Sequence, residues 1–243
     1  MIAWRLFQPL DLLPLTAHLI GGARIKERIH MFDPQDRSWL AQSLDASNAK
    51  VEIGFFVSGE FYRDPNNTEE KPLPLPTIGS LQGDARYLFA NDAIAETQQL
   101  IEYYKQILTL ATKYSQTYDE INHYFSLRLQ IVSQAGEIGF PWYDHREEID
   151  GVLDWLISSQ DGDQWHDLEQ GWEVIVVRRG TKLHFREGAF DQGGEQENLA
   201  FSGEELSSSI AQTRSIMSEL IPKLVREIGE DYWTRFRYDL SSH

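Results

Sequence analysis

The chain has 243 residues and no cysteine, and its 38 acidic side chains against 22 Lys and Arg leave a net charge of −16. Disulfides, thiolate metal sites and thiol catalysis are thereby excluded, and the sign of the charge disfavours nucleic acid and anionic lipid as partners. With 41% hydrophobic and 12% aromatic residues the chain has material for a packed core, in one large domain or two smaller ones.

Met1 to Leu15 contains Arg5, Gln8, Asp11 and two prolines, with no continuous apolar region or small-residue cleavage site, so no export signal is read there. No stretch approaches the roughly 20 apolar residues of a membrane span. A soluble, cytoplasmic protein is expected.

Ile2, Trp4 and Leu6 alternate with Ala3 and Arg5, a short strand pattern. A helical stretch near Asp36 to Leu44 follows, with Trp39, Leu40 and Leu44 on one side. Val51 to Tyr62 is rich in β-branched and aromatic residues and reads as strand, as does Arg86 to Phe89. Between them, Asp64 to Asp84 carries Pro65, Pro72, Pro74 and Pro76 and predicts an extended surface loop. A long helix then opens near Asn91 or Asp92, with Ile94, Ile101, Tyr104, Leu108 and Ala111 at helical spacing.

Phe125, Leu127, Leu129 and Ile131 show a clear period of two. Ile149, Val152, Leu153 and Leu156 mark a short amphipathic helix. Glu173 to Val177 and Lys182 to Arg186 predict a hairpin in which Gly180 supplies a positive φ. After a Gly- and Glu-rich loop, Gly188 to Glu197, the last long helix starts at Ser202, where Ser202 and Glu205 have capping-box spacing. Its stripe runs Leu206, Ile210, Met217, Leu220, Leu224 and Ile228, and Pro222 is expected to kink or divide it.

The order strand, short helix, two strands, long helix thus occurs twice. Trp4-Arg5-Leu6 corresponds to Leu127-Arg128-Leu129, and Trp39 to Trp155. Two readings stay open: an internal duplication, or one mixed domain with an unrelated second one. The expected fold is α+β, in two tandem units, each a small antiparallel sheet packed on a long helix. Residues 1–117 form the first unit, with the Pro-rich insert at 64–84, and residues 118–243 the acidic second.

Charge divides unevenly between these units. Residues 1–117 carry 14 acids and 11 bases, net −3, and residues 118–243 carry 24 and 11, net −13. Asp144 to Glu173 holds ten carboxylates and one base, Arg146. Such a field attracts cationic partners. Trp165 and Trp172 lie among these acids, and an aromatic anchor ringed by charge is a common interface device. Trp172 opens a strand and is expected in the core, whereas Trp165 is expected in a loop as the exposed anchor.

Catalytic signatures are scarce. His166 and Glu169 have H-x-x-E spacing without a second imidazole. Asp161, Asp163 and Asp167 around Gly162 miss the EF-hand ligand order. No G-x-S-x-G elbow or phosphate-binding glycine loop occurs. The Arg24, Lys26 and Arg28 group is partly cancelled by Glu27. His145 and His166 read as surface histidines beside acids. Neither a metal nor a cofactor is expected.

His166-Asp167-Leu168-Glu169-Gln170-Gly171-Trp172-Glu173, the hairpin ending Phe185-Arg186-Glu187-Gly188 and the capped long helix look like a C-terminal module of uncharacterised bacterial proteins. In its acidity, small α+β units and lack of a catalytic motif, the whole chain resembles immunity proteins of bacterial polymorphic toxin systems. That resemblance implies a cytosolic, non-enzymatic protein that binds a cognate toxin domain and covers its active site; no family residue carries over by motif. The residues expected to meet the basic partner are Asp144, Glu147, Glu148, Asp161, Asp163, Trp165, Asp167 and Glu169, with the Pro72–Pro76 loop adding contact. The alternatives are a hydrolase using the acidic loop around His166, and an adaptor or assembly subunit.

Overall fold

A computed structural model describes residues 37–63, 71–79, 81, 86–141, 143–169, 171–189 and 197–235. The strand expected at Ile2 to Leu6, the Arg24–Arg28 group and most of the Gly188–Glu197 loop lie outside these residues.

Where a helix to Leu44 is expected, a 3-10 turn spans only Ser38–Gln42 before β1 (Leu44–Ala46). Asn48 sits in the left-handed region at φ 58°, which a short amide side chain tolerates, and turns the chain into β2 (Lys50–Phe56). The expected Val51–Tyr62 strand breaks after β2. Its end becomes β3 (Glu60–Phe61), paired with β4 (Leu73–Pro74). The insert is therefore more than surface excursion, since Leu75 and Ile78 are buried in the core. β5 (Tyr87–Phe89) leads into α1 (Ala90–Ala95) and α2 (Thr97–Lys113). The single helix read from sequence is interrupted at Glu96. There the Thr97 hydroxyl donates to the carbonyls of Ile94 (2.7 Å) and Ala93 (3.2 Å), competing with the main chain for the same acceptors.

Thr117 and Glu120 form a capping box that starts α3 (Tyr118–Ile121). The period-two run becomes β6 (Leu127–Val132), its burial alternating as expected, followed by β7 (Glu137–Phe140). Then come α4 (Arg146–Ser158), β8 (Gln164–Glu169), β9 (Trp172–Arg179), β10 (Lys182–Ala189), β11 (Glu197–Ser202) and α5 (Gly203–Ile228). Gly180 turns the β9–β10 hairpin at φ +55°, as its position predicts.

The fold is α+β, but the boundary expected at residue 118 does not exist. β2 pairs antiparallel with β6 across it, in the sheet β5-β2-β6-β7. The five-stranded sheet β1-β11-β10-β9-β8 also draws a strand from each expected unit, β1 running parallel to β11 and the rest antiparallel. All described residues fall in one unit. Trp39 and Trp155 are not equivalent either: Trp39 packs with Ile175 and Val177 on one face of the five-stranded sheet, while Trp155 approaches Trp165 on the other. The shared order of elements does not extend to how the strands pair, and a strand's sequence does not encode which neighbour it joins.

α5 is what joins the sheets. Its apolar stripe, including Leu206, Ile210, Met217, Leu220 and Leu224, is buried. Beside that stripe runs a polar one of i, i+4, i+8 spacing. Glu205 Oε1 accepts the N–H of Ala49 (2.8 Å), Ser209 Oγ accepts the N–H of Val51 (2.8 Å), and the Thr213 hydroxyl donates to the Val51 carbonyl. β5 covers β2 only from Gly54 to Phe56, so α5 side chains serve the main chain where a strand is missing. Ser202 caps α5 by accepting from the N–H of Glu205, but the Glu205 carboxylate turns to Ala49 instead of completing the box. Pro222 does not divide α5, which continues to Ile228 and ends on Gly229. Beyond it, Trp233 is fully buried against Phe55, Tyr104 and Phe125.

Candidate partner-binding surface

β8 forms where the sequence predicts a loop: Gln-Trp-His-Asp-Leu-Glu has no β-branched residue and no clean alternation. It is nonetheless ordered from both ends. At its start Gly162, at φ +90°, and Asp163 together oppose Arg178: the Gly162 N–H donates to the Arg178 carbonyl and the Arg178 N–H to the Asp163 carbonyl, both bridged within 3.0 Å. This is a glycine β-bulge. At its end Glu169 pairs with Trp172 across a tight turn containing Gly171. Arg178 also ties the sheet to α4, its guanidinium donating to Ser159 Oγ and the Leu156 carbonyl, each at 2.8 Å.

Trp165 is therefore not a loop anchor. It is half-buried on β8 and packs on Phe140 (ring centroids 5.8 Å), Tyr143 (5.7 Å) and Trp155 (6.3 Å). Trp172 opens β9, also partly buried, with its indole N–H donating to Glu187 Oε1 at 3.1 Å.

The seven acids expected at the interface separate into two places. Asp161 and Asp163 stand exposed at the start of β8 and hold turns, accepting from the N–H of Gly180 (2.8 Å) and of Gln160 (2.7 Å). The others gather towards the far end of β8 and the start of α4. Glu148 Oε2 accepts the N–H of His145 (3.1 Å) and of Asp144 (3.2 Å), which caps α4. Glu147 pairs with Arg235 at 2.9 Å. Asp167 accepts from the Tyr143 hydroxyl and from the N–H of Leu168, and Glu169 is exposed. The protein packed about the Asp144 carboxyl pushes its pKa up, Arg128 pulls it down, and Glu148 and Glu169 push it up further. Glu148 and Glu169 are thus both near enough to the Asp144 carboxyl to oppose its ionisation.

Not every acid of the run faces outward. Arg214 of α5 binds Asp150 (3.0 Å) and Asp154 (2.7 Å), and Arg146 also reaches Asp150. Glu173 is buried at 2% exposure. Its two oxygens meet His166 Nε2 at 3.0 Å and Arg186, 3% exposed, at 3.1 Å. Arg186 in turn lies over the Trp39 ring at 5.4 Å. The two histidines read as surface groups are built into the structure: His145 is buried at the head of α4, and His166 is held by Glu173.

Sequence reasoning also missed Glu187. It is buried on β10 and accepts from the Gly139 N–H of β7 and from Trp172, so it bridges the two large sheets. Burial pushes its carboxyl up to about 7, against the pull of those two donors. The signal was its place in the alternation: Leu183, Phe185 and Glu187 share the core-facing side of β10.

Chemically, this surface offers charge and an ordered strand. Among the described residues, no group of three or more His, Asp or Glu is arranged to hold a metal ion, and no helix is long and apolar enough to cross a membrane. No protein-family model, curated protein or solved structure matches the chain.

Proposed function

We propose that the protein is a non-catalytic binder of a basic protein surface, and specifically an immunity protein that occludes a cognate toxin domain in the cytoplasm. The observation that supports this reading is the gathering of Asp144, Glu147, Glu148, Asp167 and Glu169 where the head of α4 meets the end of β8, with Glu148 and Glu169 both near enough to Asp144 to oppose its ionisation against the pull of Arg128 and His145. A surface on which acids outnumber bases attracts a cationic partner and speeds encounter with it. The toxin itself comes from the resemblance to immunity proteins.

The test is the product of an adjacent open reading frame. Expressed alone it should arrest growth, co-expression of this chain should restore growth, and the two should purify as a stoichiometric complex. A neighbouring product that is harmless, or that fails to bind, overturns the toxin assignment.

A second reading, hydrolysis, is favoured by His166, whose imidazole is oriented by the buried Glu173 as a general base is oriented by its carboxylate. It predicts protection at a small fraction of one equivalent, lost in His166→Ala. Protection that requires a full equivalent excludes it.

A further inference from the structure

β8 ends the five-stranded sheet, and no strand pairs with its outer edge among the described residues. Its register decides what that edge presents. The Arg178 N–H to Asp163 carbonyl bond and the Glu169–Trp172 turn fix the alternation of the ladder. The main-chain groups of Trp165, Asp167 and Glu169 point to β9, and those of His166 and Leu168 point away from it. Asp167 guards one of these outward groups, since its Oδ1 accepts the Leu168 N–H at 2.8 Å. The N–H and carbonyl of His166 and the carbonyl of Leu168 remain directed outward, a template for another strand.

The edge is already ordered on both faces. On one, Trp165 stacks on Phe140 and Asp167 is held by Tyr143; on the other, His166 is held by Glu173. Pairing here would need little further ordering of β8, which removes a main cost of association. The side chains also specify an occupant. Asp167 and Glu169 lie on one face, and Leu168, 45% exposed, lies on the other. A second copy of this edge would set acid against acid, and like charges directly opposite are destabilising.

We propose that β8 is a docking edge for an extended basic segment of the partner protein. The segment adds as a sixth strand, placing Lys or Arg beside Asp167 and Glu169 and an apolar side chain beside Leu168. This rests on the acidic-surface reading above and gives it a geometry.

The probe is a capped peptide of about eight residues alternating Lys and Val, titrated into the full chain. Its control is the same peptide N-methylated at alternate amides, which keeps the charge and removes the ladder on one side. The unmodified peptide should bind and slow exchange of the His166 amide about tenfold, and N-methylation should weaken binding at least about tenfold, or 1.4 kcal/mol. Equal binding of both peptides overturns the edge and leaves the acidic surface standing. Equal binding of the unmodified peptide by wild type and Glu169→Lys overturns the role of charge, and with it the acidic-surface reading. No binding of either peptide, or a dimer protected at His166 without peptide, overturns the edge as a site for a basic partner.

Discussion

Ser209 Oγ accepts the main-chain N–H of Val51 at 2.8 Å, across 158 positions of sequence. With Glu205 and Thr213 it makes one side of a helix do the work of a strand. Ser209→Ala should leave the Val51 N–H without its acceptor and cost about 1–3 kcal/mol of stability. Urea unfolding checks the loss, and amide exchange should speed at Val51 while Val176, in the other sheet, is unaffected. An unchanged unfolding midpoint would mean that this bond contributes nothing.

Glu187 makes stability depend on pH in an unusual direction. Its carboxyl titrates near 7 in the fold against an ordinary value of 4.5. Between those values the folded chain holds a proton that the unfolded chain has released. Stability from this group is therefore full below about pH 4.5 and is lost as pH rises through 7, on the order of 3 kcal/mol in all. Glu187→Gln should remove that loss, so the variant gains on wild type between pH 5 and pH 8. Parallel stability curves for the two proteins would refute it.

Glu173 and Arg186 are buried together, so removing one charge should hurt more than removing both. Glu173→Leu alone should cost about 3 kcal/mol or more by taking the carboxylate from the buried Arg186 guanidinium, and adding Arg186→Met should recover most of it. A double-mutant cycle by chemical unfolding measures the coupling. Additive losses would show that the pair is not coupled.

The acids of the run should divide into structural and recognition groups. Asp161→Ala removes the acceptor for Gly180 and should cost about 1 kcal/mol of stability. Glu169→Gln, on an exposed side chain, should leave stability within about 0.5 kcal/mol but slow association with a basic partner and flatten its salt dependence. Stopped-flow association at several ionic strengths, beside unfolding curves, separates the two effects. Identical salt slopes for wild type and Glu169→Gln would remove Glu169 from recognition.

What could be read from sequence was whatever repeats locally. The alternation through Leu129 and Ile131, the Gly180 turn, the Ser202 cap and the α5 stripe all depend on residues within a few positions. β8 was hidden because an edge strand keeps both faces partly wet, which erases the alternation that marks a half-buried strand. The two-unit reading failed for another reason: β2 and β6 each look complete, and nothing in either says that they lie side by side. The acidic run was visible, but its division was not. Asp150 and Asp154 are answered by Arg214 and Glu173 by Arg186, and these pairs exist only once the chain has folded.

The C-terminal stretch has a consequence for synthesis. Acceptors for Ala49 and Val51 arrive only with α5, and Trp233 and Thr234 then supply carbonyls to the N–H groups of Arg146 and Glu147 at the head of α4. Trp233 also fills the ring cluster of Phe55, Tyr104 and Phe125. In a nascent chain β2 therefore stays open beside Val51 until α5 has formed through Thr213, and the aromatic socket stays empty until residue 233 is free. A fragment that stops short of that point should leave Phe55, Tyr104 and Phe125 open to chaperones and proteases that the full chain excludes.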